Sequence, residues 1–200
     1  MAFFRNRTVN LLNLHYGIHT IALSGGGAFF AAYLLKSGVP IAGVFLSLAL
    51  ILLGRFVIRP IVIGMAVQWG LRSMVVAGTV LSALQYPFLA EVHGVGIVLV
   101  ELVVVSAVAD TIYWTTYHAY FAALGDNEFR GHQIGAREAT AAVVGIASPL
   151  LTSWMLVTFG PRVAFCTTSI VVALAALPIL WAPEVAVPPR APGAFKASLP

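Results

Sequence analysis

Hydrophobic residues along this chain fall in long unbroken runs, not in the alternating or one-faced patterns of a soluble protein, and short clusters of glycine, proline and charge separate the runs. The runs cover residues 14–35, 41–68, 74–90, 95–124, 133–157 and 163–181. Each reaches the ~17–25 apolar residues that a membrane-crossing helix needs. The breaks are Lys36-Ser37-Gly38-Val39-Pro40, Gln68-Trp69-Gly70-Leu71-Arg72-Ser73, Glu91-Val92-His93-Gly94, residues 125–132 and Phe159-Gly160-Pro161-Arg162, and none has room for an extramembrane domain. The pattern predicts an all-α membrane protein: an N-terminal segment at 1–13, a six-helix transmembrane domain at 14–181, and a proline- and alanine-rich tail at 182–200, extended or disordered. For the first run a cleaved signal peptide is the rival, because Arg5 and Arg7 precede it and small residues follow near Ala31. The run is longer than the ~7–15 residues of a signal core, which favours a true span.

Composition fixes the class. Of 200 residues, 60% are hydrophobic and 9% charged, with a mean hydropathy of +0.95, too apolar for a wetted surface and suited to a lipid bilayer. The single cysteine, Cys166, excludes an internal disulfide and reads as a small buried residue in an apolar helix. A net charge of +4 would suit nucleic acid if the basic residues formed a patch, but they are scattered at span ends, so no nucleic-acid partner is expected. Membrane orientation explains them better. One side holds Arg5, Arg7, Arg72, Arg130, Arg137, Arg190 and Lys196, the other only Lys36 and Arg162, which predicts both termini in the cytoplasm of a bacterial plasma (inner) membrane.

Polar groups inside the spans carry the candidate chemistry. Arg55 falls near the middle of the second span, with Arg59 one turn further on the same face, and a lipid-facing arginine there costs at least ~2.5–3.5 kcal/mol. Both are therefore expected to face protein or water. Arg55 suits either a structural ion pair or an anion site, while Arg59 sits beside Pro60, which frees a carbonyl one turn back. The fourth span places Asp110, Tyr113, Trp114, Tyr117, His118 and Phe121 in one stripe at helical spacing, and turns Glu101 to the opposite side. Asp110 can brace Arg55 statically or alternate between protonated and ionised forms, and the aromatic residues are either packing or flat surfaces for an organic solute. In the first span Ser24-Gly25-Gly26-Gly27 permits close packing or a bend beside a cavity, and His19 is either a satisfied interior histidine or a proton carrier. Tyr86, before Pro87, reads as an interfacial anchor. There is no H-E-x-x-H, no phosphate-cradling glycine loop and no nucleophile with a paired base, so neither an enzyme nor a cofactor or metal is expected.

Several short motifs resemble the major facilitator superfamily. Arg130-Gly131, followed by Gly135 and then Gly145 and Pro149, is similar to that family's fourth-to-fifth-helix region. Phe159-Gly160-Pro161-Arg162-Val163-Ala164-Phe165 looks like its GWR-x-x-F opening of the sixth helix, with Pro161 where tryptophan is common. Gly70 and Arg72 resemble its loop between the second and third helices. Two departures matter: Val67 stands where the family usually has a gating aspartate, and Ser148 and Thr152 stand where its antiporter signature has glycines. The resemblance implies six helices in two inverted three-helix repeats, forming half of a twelve-helix bundle whose first and fourth helices line a central cavity. It implies a transporter of a small molecule, truncated or half-size, its cavity completed by a homodimer or a second six-helix half. The alternative is a non-transporting scaffold, accessory subunit or degenerate remnant of that family.

Overall fold

The computed structural model describes residues 6–125 and 128–187. Arg5, Asp126, Asn127, Arg190 and Lys196 lie outside the described residues, as do the rest of residues 1–5 and the tail beyond 187. The described chain is helical nearly throughout. α1 (Arg7–Gly25), a 3-10 turn (Gly27–Phe29) and α2 (Phe30–Lys36) make the first span, followed by α3 (Ile41–Trp69), α4 (Leu71–Ala90), α5 (Ile97–Leu124), α6 (Arg130–Thr158) and α7 (Gly160–Leu180). Six spans are long and apolar enough to cross a membrane, as in a multi-pass membrane protein.

The helix boundaries differ from the sequence expectation where capping, not hydropathy, sets them. Asn6 accepts hydrogen bonds from the amides of Thr8 and Val9, so α1 starts at Arg7, inside the segment expected to precede the membrane domain. The expected loop of six residues before the third span shrinks to Gly70 alone, whose φ of +79° reverses the chain in one step. Phe159 and Gly160, the latter at φ +82°, do the same between α6 and α7.

Small residues set the helix contacts. A Cβ on Gly54 would stand 2.7 Å from Ala107 Cβ, and one on Gly78 would stand 2.7 Å from the Tyr113 amide nitrogen, so α3 and α4 both lie close against α5. On the other side α1 meets α6 through Gly17 against Thr140 and Gly25 against Ser148 and Thr152. α7 packs on α1 and α4. Two hydrophobic clusters result: one holds Leu12, Val62, Met74, Tyr117 and Ile179, the other Ala22, Val44, Ala83, Leu102 and Phe165. Between them along their helices fall His19, Arg55, Ser82, Ser106 and Asp110, which makes a polar layer near mid-bundle.

The outer surface is apolar. α3 exposes Phe45, Phe56 and Ile61, and α6 exposes Val143, Ile146 and Val157 while burying only Gln133, Ser148 and Thr152. Two expectations fail here, those for Cys166 and Tyr86. Cys166 is exposed, on the outward side of α7. Arg59, expected to face protein or water, lies on the surface and forms no ion pair among the described residues. Tyr86 is buried, not interfacial: its hydroxyl donates to the Ala22 carbonyl at 3.1 Å, and its ring fills the space left by Gly26.

Candidate functional site

The polar layer opens into a cleft of about 370 Å³ lined by residues of α1, α3, α4, α5 and α7, including His19, Arg55, Ser106, Asp110, Trp114 and Tyr86. The close approach at Gly54 brings Arg55 Nη1 to 3.8 Å from Asp110 Oδ2. That is an ion pair without a hydrogen bond, beyond the ~2.7–2.9 Å of a charge-assisted contact. About a third of each side chain remains accessible, 34% of Arg55 and 28% of Asp110. Glu101 is exposed on the other side of α5, as the helical spacing predicts.

The stripe of the fourth span divides by face. Tyr113 and Tyr117 are buried against α1, Trp114 is half-buried beside the cleft, and His118 is exposed, stacked on Trp114 at 5.5 Å. His19 lies flat on the Tyr113 ring, with centroids 4.1 Å apart and planes within 10°. The residue that sequence reasoning missed is His15. It is fully buried, its Nδ1 is 2.6 Å from the Ala175 carbonyl, and its Nε2 is 3.0 Å from the Tyr113 hydroxyl. A carbonyl only accepts, so Nδ1 carries a proton, and in the neutral ring Nε2 accepts from Tyr113. His15 precedes His19 by four residues, a same-face spacing visible in the sequence.

Beyond this seam Tyr117 stacks on Tyr16 at 5.4 Å, and the Arg137 guanidinium sits 5.0 Å from the Tyr16 and Phe121 ring centres while binding Glu138 at 2.6 Å. A row of aromatic and ionisable groups thus runs from Arg137 through Tyr117, His15 and Tyr113 to His19 at the cleft. Three buried polar atoms have no hydrogen-bond partner among the described residues: Asn13 Oδ1, His19 Nδ1 and Ser106 Oγ. Two of these, on His19 and Ser106, belong to cleft residues.

The loop-motif residues lie elsewhere. Gly70 and Arg72 meet Glu184, a second residue that sequence reasoning did not single out. Glu184 belongs to residues 182–187, the start of the segment expected to be extended or disordered, which lie across the start of α4: the Leu71 amide donates to the Val185 carbonyl at 3.0 Å, and Tyr120 donates to the Pro183 carbonyl. Arg130 donates to the Ala122 carbonyl at 3.2 Å, tying α6 to α5. Gly131 and Gly135 face open space, and Gly145 lies near Ser24. Around Pro149, Ser148 and Thr152 face Gly25 on α1, which supplies the room for them. Compared with known proteins, the chain matches no family model, no curated protein and no solved structure.

Proposed function

We propose that this chain is a half-size or partial membrane transporter of the major facilitator type, which moves a small solute through the Arg55–Asp110 cleft with coupling to protons. The observation that carries the reading is the separated ion pair: two opposite charges at mid-bundle, a third exposed, on a cleft to which five of the six spans contribute. Ionisable groups in that position are expensive and mark solute or proton paths. Asp110 can exchange its arginine partner for a proton at the cleft, and the His19–Tyr113–His15 row beside it offers groups that pass one on.

The helix pairings support two related threes. The first span packs on the fifth and sixth, the fourth on the second and third, and the third on the sixth, so exchanging the first three spans with the last three leaves the pattern unchanged. The exposed flanks of α3 and α6 then await a second wall, from another copy or another six-helix half. The balance of basic residues orients the chain with Arg7, Arg72 and Arg130 in the cytoplasm and the Glu91–Arg162 pair outside.

A non-transporting scaffold is the second reading. It is favoured by the fact that the Arg55–Asp110 pair is already formed and can serve as a brace. Reconstitution decides between them. Proteoliposomes are loaded against labelled amino acids, sugars and organic acids, with and without an imposed pH gradient, while light scattering gives the protein mass of the particle. Gradient-dependent accumulation by a dimer is the expected result. A strict monomer that accumulates none of them overturns the transport reading.

A further inference from the structure

We propose that the cleft binds a small zwitterion with an apolar side chain, of the aliphatic or aromatic α-amino acid class. This names the substrate of the transport reading and depends on that reading only for the movement of the bound solute.

The charges argue first. An unhindered arginine–carboxylate pair closes to a two-point contact at ~2.7–2.9 Å. Arg55 and Asp110 stop at 3.8 Å with no hydrogen bond between them, so the guanidinium keeps its donors and the carboxylate its lone pairs on the cleft side. The site holds one charge of each sign. A solute with a single charge would leave a net charge in a low-dielectric layer, whereas a zwitterion brings a carboxylate for Arg55 and an ammonium for Asp110 and adds none. A neutral polar solute can hydrogen-bond to both groups but offers neither of them an opposite charge, so it gains less from the separation than a zwitterion does.

The neighbouring groups argue second. Ser106 Oγ and His19 Nδ1 belong to residues 2% and 5% exposed, line the same cleft and have no hydrogen-bond partner among the described residues. A buried orphan of this kind costs ~1–3 kcal/mol, and because both atoms are shielded from solvent, a ligand supplies the partner only by turning these side chains into the cleft. Most of the remaining lining is apolar, although Ser82, Gln85 and Tyr86 of α4 also border the cleft. Leu23, Phe30, Leu48, Leu52 and Val172 line it, and those on the first span and α3 are displaced from His19 and Arg55 toward the connection between the two spans. The cleft therefore has a charged end and a mainly apolar end, with Gln85 on the α4 wall. Its volume of about 370 Å³ suits one small solute.

The test is calorimetric titration of the full-length protein in nanodiscs with L-leucine, L-phenylalanine, 4-methylpentanoate, which lacks the ammonium, and 3-methylbutylamine, which lacks the carboxylate. An amino acid should bind, and each truncated analogue should bind at least ~10-fold more weakly than leucine because one buried charge is left unmatched. In Asp110→Asn the preference for leucine over 4-methylpentanoate should disappear, and in Arg55→Gln the preference over 3-methylbutylamine. Analogues that bind wild-type protein as well as leucine does, or no binding of either amino acid, overturn the proposal. The wild-type series decides the matter even if neither variant folds. Labelled-leucine flux in proteoliposomes separates the two readings: binding without flux overturns transport and keeps this site, whereas flux of another solute class without amino acid binding does the reverse.

Discussion

Arg55 with Asp110 and Arg72 with Glu184 are two arginine–carboxylate pairs of similar separation, 3.8 and 3.4 Å, and similar exposure, about a third of each side chain. Their surroundings are opposite. Glu184 has spent its lone pairs: Oε1 accepts from the amide of Arg72 at 2.8 Å and from that of its own neighbour Val185 at 3.2 Å, and Oε2 accepts from the Ser73 hydroxyl at 2.9 Å; Arg72 and Ser73 belong to the first turn of α4, where a carboxylate is favoured by the helix dipole. Asp110 accepts no hydrogen bond among the described residues and borders a cleft. Similar distances therefore describe different objects. The first pair leaves capacity for a ligand or a proton; the second closes a joint between the end of α7 and the start of α4.

The largest expected effect separates them by activity. Asp110→Asn should abolish leucine accumulation driven by a pH gradient while leaving membrane insertion intact, and Glu184→Gln should leave the gradient dependence unchanged. Normal pH-dependent uptake by Asp110→Asn would remove that residue from the coupling path and make the two pairs equivalent. Next in size is the coupling within the cleft pair. Arg55→Ala and Asp110→Ala should each harm folding or activity more than the double variant does, because each leaves a charge unpartnered at mid-bundle, with an interaction energy of ~0.5–3 kcal/mol in the double-mutant cycle. Simple additivity would show that the 3.8 Å contact carries no interaction.

Glu184→Gln should then cost about 1 kcal/mol of stability, the usual worth of a helix-capping side chain, measured by denaturant unfolding in detergent. The pair is a third exposed, so its ionic share should shrink further when salt rises from ~0.1 M to ~1 M and the screening length falls from ~10 to ~3 Å. A loss as large as that from Asp110→Ala would mean that the α4 joint, not the cleft, is the critical ion pair.

The sequence disclosed the spans and the depth of the cleft because both follow from local quantities. Run length fixes the number of helices, and Arg55 and Asp110 each fall near the middle of their runs, so the sequence places them at one depth and offers their pairing as one of two readings of Asp110. Glu101 facing away from Asp110 follows from helical spacing in the same way. His15 escaped because its partners are Tyr113 and Ala175, 98 and 160 residues away: the four-residue spacing to His19 shows a shared helix face but not what that face meets. Glu184 escaped because the proline-rich tail has the composition of a solvated segment, and only the free amides at the start of α4 reveal why it docks. Tyr86 is misplaced by sequence for a related reason. Proximity to Pro87 and a span end suggests an interface, but the space beside Gly26 draws the ring inward.

Tyr120→Phe gives the smallest effect and isolates the joint from its charges. Tyr120 is fully buried in α5, and its hydroxyl donates to the Pro183 carbonyl, one residue before Glu184. Phenylalanine keeps the ring and removes only that donor, so the loss should be about 1 kcal/mol, the net worth of one hydrogen bond. If residues 182–187 act as one unit, the Glu184→Gln and Tyr120→Phe losses should not add, since releasing either contact frees the segment that makes the other. If they add, Glu184 caps α4 on its own and Tyr120 merely rests against the chain. In both cases the leucine preference of the cleft should be unchanged, because neither residue lines it.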